Sequence, residues 1–298
     1  MTELRIAAAA RVVLIAGPTA SGKSHLALDL AQREGGIVIN ADSMQVYTEL
    51  RILTARPDSA SETAIEHRLY GHVPASTRYS VGDWLVEIAG ALDRAMTQGR
   101  LAIVVGGTGL YFKALVEGLA ATPPIPPEVR QEVLSRAEGV SSQTLHQRLA
   151  EIDPQDAAQI RPSDRSRILR ATEVFTTTGR SLAAWRDRPA KPILDLSAAE
   201  CLVLDPDRAL LHMRIGERAE AMIRMGAIEE VEALAALDLS SALPAMKAIG
   251  VRKLIDHRAG RLSLDEALAG IKTDTRRYAK RQTTWFRHQM AGWRRVAV

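Results

Sequence analysis

The stretch from Arg11 to Ser24, Arg-Val-Val-Leu-Ile-Ala-Gly-Pro-Thr-Ala-Ser-Gly-Lys-Ser, constrains this chain more than any other. The apolar run ending at Ala16 reads as a short buried strand, and His25–Arg33 reads as a helix. Between them Gly17, Pro18, Thr19, Ala20, Ser21, Gly22, Lys23 and Ser24 satisfy the G-x-x-x-x-G-K-[ST] spacing of a phosphate-binding loop. In that setting successive backbone N–H groups turn into one concavity, and the helix N-terminus adds partial positive charge. Lys23 adds a full charge, and the Ser24 hydroxyl can reach a magnesium ion. The expected ligand is a phosphate or diphosphate.

The rest of the first third keeps the alternation. Ile37–Asn40 reads as a second strand, and Ser80 as the N-cap of a helix through about Gln98, with Asp83 completing a capping box. Leu101–Val105 is a further buried strand running into Gly106-Gly107-Thr108-Gly109 and a helix from Leu110. Strands alternating with helices imply a parallel sheet with right-handed crossovers. Four of the thirteen prolines then fall within Thr122–Pro127 and punctuate the pattern. From Glu128 to about Trp185 the periodicity is helical, broken at Asp153-Pro154 and Arg161-Pro162, and Pro189 to Pro192 close the stretch. Glu200–Asp205 reads as a strand again, so the middle segment is an insertion. From Arg208 onward the chain reads as helical, ending in a long basic helix near Leu264–Met290. The expected fold is α/β: a P-loop NTPase-like parallel sheet core over 1–119, an inserted helical subdomain over 120–195, and core completion with basic C-terminal helices over 196–298.

Composition narrows the class further. The 298 residues are 46% hydrophobic and 25% charged, an ordinary globular mixture, and no apolar run approaches the ~20 residues of a membrane span. The first residues lack the charge order of a secretory signal. A single cysteine, Cys201, allows neither an internal disulfide nor a cysteine-based zinc cluster. A cytoplasmic monomer is the expectation. The net charge of +4 hides a gradient: residues 252–298 carry twelve Lys/Arg against four acids, a local +8 on a mildly acidic remainder. A polyanionic partner and a solvated helix face both fit that segment.

Beyond the loop, no early strand ends in the Asp that nucleotide hydrolases use to hold magnesium. Asp42 is the carboxylate placed just past the end of an early strand, where open parallel sheets put their ligands. A metal ligand, a general base and a loop cap all remain open for it. The pattern favours a phosphate group that leaves or is transferred.

Taken together the motifs resemble those of the tRNA dimethylallyltransferases, also called tRNA isopentenyltransferases, in their bacterial form. The resemblance rests on the phosphate loop, Asp42-Ser-Met-Gln-Val-Tyr47, Thr54-Ala-Arg-Pro57, Gly106-Gly-Thr-Gly-Leu-Tyr111, Leu211-x-x-Arg-Ile-x-x-Arg218, Met222-x-x-Met-Gly226, Ala248-Ile-Gly250 and Thr275–Arg287. Leu53 and Val251 depart from the family pattern. The single cysteine leaves no room for the zinc finger that some eukaryotic members carry.

The resemblance implies transfer of a dimethylallyl group from dimethylallyl diphosphate to N6 of the adenosine at position 37 of tRNA, beside the anticodon. It implies Asp42 as general base, Thr108 as the residue orienting the amine and Lys23 as a diphosphate clamp with Mg2+ at Ser24. Arg214 and Arg218, one helical turn apart, are the candidates for a further diphosphate contact. Ser43, Met44 and Gln45 would line the channel for the flipped base, and Thr19 would face the prenyl chain. The tRNA-binding set extends to Arg130, to Ser166, Arg167, Ile168, Leu169 and Arg170, and to Lys247, Gly250, Arg252, Lys280, Arg281 and Arg287. Arg165 would share the phosphate contacts of Arg167 and Arg170, while Trp285 and Phe286 read as core. The competing readings are a P-loop kinase of a small hydroxylated metabolite, with Asp42 activating an alcohol, and a non-catalytic RNA-binding switch.

Overall fold

A computed structural model describes residues 11–186 and 191–298. The expectations resting on the N-terminal ten residues and on Pro189 lie outside the described residues. β1 (Val12–Ala16) is buried at all five positions. Val12, Leu14 and Ala16 face one apolar cluster, and Val13 and Ile15 face another. Helices cover both faces of a parallel sheet, so its central strands are apolar throughout rather than alternating. α1 (Lys23–Glu34), β2 (Ile37–Asn40), α2 (Ser59–Ala64), β3 (His67–Arg68), α3 (Val81–Thr97), β4 (Ala102–Gly106) and α4 (Gly109–Glu117) follow. At the head of α3, Ser80 accepts from the Asp83 amide while the Asp83 carboxylate accepts from the Ser80 amide, the reciprocal cap that the spacing predicts.

The chain then leaves the sheet for a helical unit and returns to the same point: the amides of Ile193 and Leu194 both donate to the Leu115 carbonyl, at 3.1 and 3.2 Å. That unit, Glu117–Pro192, is compact in itself; the bounds of 120 and 195 read from the sequence fall slightly later. It contains α5 (Pro127–Ala137), α6 (Ser142–Ile152), α7 (Pro154–Gln159), α8 (Arg165–Thr178) and α9 (Leu182–Arg186). Its own core includes Leu145, Leu149, Ile160, Ile168 and Ala171. Asp153 ends α6 and caps α7 with its side chain, and Pro154 occupies the first turn where its missing N–H is harmless.

The first unit resumes with β5 (Ala199–Asp205), α10 (Arg208–Arg224), α11 (Ala227–Ala235), α12 (Val251–Arg258), α13 (Leu264–Gln289) and β6 (Arg294–Ala297). All strand pairings are parallel, in the order β3-β2-β4-β1-β5-β6. The edge strands correct the sequence reading. β3 is the dipeptide His-Arg, and β6 begins Arg294-Arg295, so neither offers an apolar run, and the chain is not helical to its end. Charged residues on a sheet edge also discourage pairing with other chains. Among the described residues, no helix is long and apolar enough to cross a membrane.

Candidate active site

Three loops meet at the carboxyl ends of β1, β2 and β4, because Ala16 pairs with Gly106 and Asn40 with Val105. The first is the phosphate loop. Ala20 and Gly22 adopt left-handed φ values of 64° and 89°, turning the chain so that α1 begins at Lys23. The amides of the first helical turn have no intrahelical acceptor and face whatever anion the loop receives. Lys23 Nζ donates to the Pro18 carbonyl at 3.3 Å. Burial pushes its pKa down to about 8; Asp42 opposes the shift and Arg218 adds to it. Ser21 is buried, and its Oγ has no hydrogen-bond partner. Ser24 stands exposed at the head of the helix.

The second loop carries Asp42. Asn40 is fully buried and shapes it: its Oδ1 accepts from the Asp42 amide at 2.8 Å, and its Nδ2 donates to the Asp42 and Leu69 carbonyls at 2.9 Å each. The Asn40 carbonyl in turn accepts from Trp84 Nε1 at 2.8 Å. Asp42 Oδ1 accepts from the Met44 amide at 2.9 Å. The third loop carries Thr108, whose Oγ1 accepts from the Ser43 amide at 2.9 Å and donates to Ser43 Oγ at 3.2 Å. A Cβ on Gly106 would lie 2.0 Å from the Ala41 carbonyl oxygen. Only glycine lets the second and third loops approach this closely.

The first two loops open on a cavity of about 290 Å3, which Thr19 of the phosphate loop lines but Lys23 and Thr108 do not. Thr19, Asp42, Ser43, Lys247, Arg218 and Arg281 are among its polar lining residues, and Leu53, Ile215, Met222 and Ile271 among its apolar walls. Arg218 donates to Thr19 Oγ1. Burial lowers its pKa and Asp42 opposes the shift, but a guanidinium starts so high that it stays charged. Arg214, one turn earlier on α10, does not line the cavity, so of the two arginines Arg218 is the one placed to meet a ligand there. Tyr278 is another wall; burial and the Asp42 charge raise its pKa, so its hydroxyl stays protonated. Arg281 lies over the Tyr278 ring at 5.6 Å.

Several expected site residues are placed differently. Gln45 turns away from the cavity: its Nε2 donates to the Thr54 and Ala55 carbonyls at 2.8 and 3.2 Å. Ile168 is fully buried in the core of the helical unit, and Leu169 packs on that core, so the α8 segment can offer RNA only its other faces. Arg165 donates to the Val140 and Ala137 carbonyls at 2.6 Å each, which ties α8 to the end of α5. Arg130 and Arg170 flank the buried Glu173 at 3.3 and 3.5 Å, leaving part of their charge already balanced. Ser166 and Arg167 are exposed, Arg167 beside Asp164. Arg252 pairs with Asp256 at 3.1 Å. Gly250 is buried, with φ +102°, and a Cβ there would lie 2.9 Å from Leu53 Cδ2. Lys280, Arg281 and Arg287 are exposed on α13, whereas Phe286 is fully buried.

The Leu53 departure has a local account. The left-handed residue of that turn is Ala55, at φ 52°, so Leu53 needs no glycine conformation. Glu230 of α11 anchors the turn by accepting from the amides of Arg51 and Ile52 at 2.7 Å and of Leu53 at 2.9 Å. Asn40, Glu230 and Gln282 are the supporting residues that sequence reasoning missed. Asn40 ends a legible strand and Gln282 lies within Thr275–Arg287, so position alone could have marked both. Nothing in the sequence links Glu230 to a turn so far away.

The family model for IPP transferase matches residues 45–289, and that for isopentenyl transferase matches residues 10–72. A tRNA dimethylallyltransferase of Nitrobacter hamburgensis is 54% identical over 96% of this chain and 90% of its own length. One from Methylobacterium nodulans is 54% identical over 96% and 95%. The crystal structure of the full-length tRNA isopentenylpyrophosphate transferase of Bacillus halodurans superimposes with a TM-score of 0.68 at 32% identity, covering 96% of this chain and 89% of that one. A eukaryotic dimethylallyltransferase captured acting on tRNA superimposes with a TM-score of 0.81 at 26% identity, over 97% and 74%. With a matching family model over most of its length and relatives of this identity, the chain belongs to the tRNA dimethylallyltransferase family.

Proposed function

We infer that this protein transfers a dimethylallyl group from dimethylallyl diphosphate to N6 of the adenosine at position 37 of tRNA, releasing diphosphate. The observation that carries the reading is one cavity in which Thr19 of the phosphate loop, Arg218 bound to it and the Asp42 carboxylate meet against an apolar wall. A prenyl diphosphate has those two halves, and a carboxylate in the same cavity can take the proton of an incoming nucleophile. The kinase reading of the same loop finds no support among the relatives, which are named as transferases acting on tRNA.

The steps follow from the residues. The allylic carbon–oxygen bond breaks, and its electron pair leaves on the diphosphate. Lys23, the loop amides and Arg218 stabilise that charge as it develops. The N6 lone pair forms the new carbon–nitrogen bond, and the N6 proton passes to Asp42. Its Oδ1 is held by the Met44 amide, which leaves Oδ2 to accept. Such proton transfer typically contributes about 10²–10⁴-fold. Thr108, bound to Ser43, fixes the wall against which the amine is oriented.

Magnesium suits the loop. The side chain at its head is the exposed Ser24 hydroxyl, and no group of three His, Cys, Asp or Glu side chains forms a metal site among the described residues. An ion held there would take most of its ligands from water and substrate oxygens, the habit of magnesium. It would supply further neutralisation of the leaving diphosphate. Ser166, Arg167, Lys280, Arg281 and Arg287 offer exposed polar or cationic groups to the anticodon stem-loop, whose target base must leave its stack to reach Asp42. A tRNA substrate of this kind points to the cytoplasm.

The direct test incubates the protein with undermodified tRNA, dimethylallyl diphosphate and magnesium, and reads the nucleosides by mass spectrometry. Prenylated adenosine next to the anticodon is expected. Its absence, with turnover of ATP on a hydroxylated metabolite instead, overturns the reading.

A further inference from the structure

Gln282 lies in the second half of α13 and is 5% exposed. Both ends of its amide are engaged across the sheet's carboxyl edge. Oε1 accepts from the Thr19 amide of the phosphate loop at 2.9 Å, and Nε2 donates to the Gly107 carbonyl at 2.8 Å. One side chain therefore links the loop that receives diphosphate to the loop that carries Thr108.

The glycines of the third loop are shaped around this contact. A Cβ on Gly107 would lie 2.3 Å from Gln282 Nε2 and 3.3 Å from Asp42 Oδ2, so the amide and the carboxylate close on the same point. A Cβ on Gly109 would lie 2.1 Å from Trp285 Cδ1 and Nε1, about one helical turn farther along α13. Gly107 and Gly109 are thus the imprint of α13 pressing on the loop between β4 and α4.

We propose that Gln282 is a positioning residue that holds the phosphate loop and the Thr108 loop at one spacing, so that leaving diphosphate and attacking amine stay in register across the cavity. The proposal rests on the prenyl-transfer reading above. It is a demand on geometry rather than affinity: with the amide gone, each loop can still bind its own half of the reaction. The distance between the halves is no longer set, and displacements of about 1 Å can cost about 10²-fold in rate.

The test is single-turnover prenyl transfer with the full chain, tRNA and dimethylallyl diphosphate. Gln282→Met keeps the volume and removes both hydrogen bonds. It is expected to lower the rate constant about 10- to 100-fold while the tRNA Kd stays within about threefold of wild type. Gln282→Glu keeps the acceptor for the Thr19 amide but cannot donate to the Gly107 carbonyl, so its rate constant should stay low. Ile88→Ala, a core truncation in α3, is the control for stability and should lower the melting temperature without a comparable loss of rate. Gly107→Ala should displace the amide by contact, and combined with Gln282→Ala should lose less than the product of the two single losses.

A Gln282→Met rate within twofold of wild type, or one that falls only as far as that of Ile88→Ala, overturns the proposal and leaves prenyl transfer standing. If wild type itself makes no prenylated adenosine, both fall together.

Discussion

Lys23 and Asp42 carry opposite charge on neighbouring loops, and each makes a distinct prediction. Burial holds the Lys23 pKa at about 8, far below its value of 10.5 in water. Its charge in the free protein is therefore complete below that pH and lost above it. The kcat/KM for dimethylallyl diphosphate should fall as pH rises through about 8, tending to tenfold per unit. Lys23→Arg should remove that limb while lowering activity overall, because a guanidinium does not titrate there and does not fit the ammonium's place. A pH profile of both proteins decides it. Asp42→Ala should lower the single-turnover rate about 10²–10⁴-fold while changing the tRNA Kd less than about threefold. A loss of binding as large as the loss of rate would make Asp42 a tRNA-positioning residue instead. The residue types at these two positions were legible in the sequence. Their supporting contacts were not: Asn40 reaches the Leu69 carbonyl only once β3 pairs with β2, and Gln282 meets Thr19 and Gly107 only once α13 packs on the sheet.

Among the elements, α13 does two jobs with two faces. Ala267, Ile271, Thr275, Ala279, Gln282 and Phe286 recur at helical spacing and are buried, and Gln282 turns that inner face into part of the site. Lys280, Arg281 and Arg287 lie on the exposed side. Removing the charges of Lys280 and Arg281 together should weaken tRNA binding and flatten the dependence of log Kd on log salt by about one to two units, at ~0.7–0.9 for each phosphate no longer neutralised. Binding titrations across a salt series check this, and an unchanged slope returns that face to ordinary solvation. Helix caps and buried strands were readable locally because their causes are local: Ser80 with Asp83, and the five apolar residues of β1. β3 and β6 were not, because a two-residue His-Arg strand and a strand opening on two arginines owe their conformation to the strands beside them.

Cationic charge is shared between the two compact units of the molecule. Arg167 belongs to the helical unit and the Lys280–Arg281 pair to the sheet unit, with no ion-pair partner in common among the described residues. Their contributions to tRNA affinity should add within about 0.5 kcal/mol, measured as Kd values for the single, paired and combined alanine variants. Coupling well beyond that figure would mean that the charges act through one another.

Residue order alone specified the phosphate loop, the parallel sheet with its helical insertion, the family and the placement of Asp42 past β2. Each depends on spacing along the chain, which the order of residues carries directly. Packing in three dimensions chose Arg218 over Arg214 for the cavity, buried Ile168 away from RNA, turned Gln45 toward the Thr54 and Ala55 carbonyls, and brought Gln282 between two loops. Those outcomes depend on which face of a helix meets which neighbour, and residues as far apart as Thr19 and Gln282 become partners only when the sheet and its last long helix have packed.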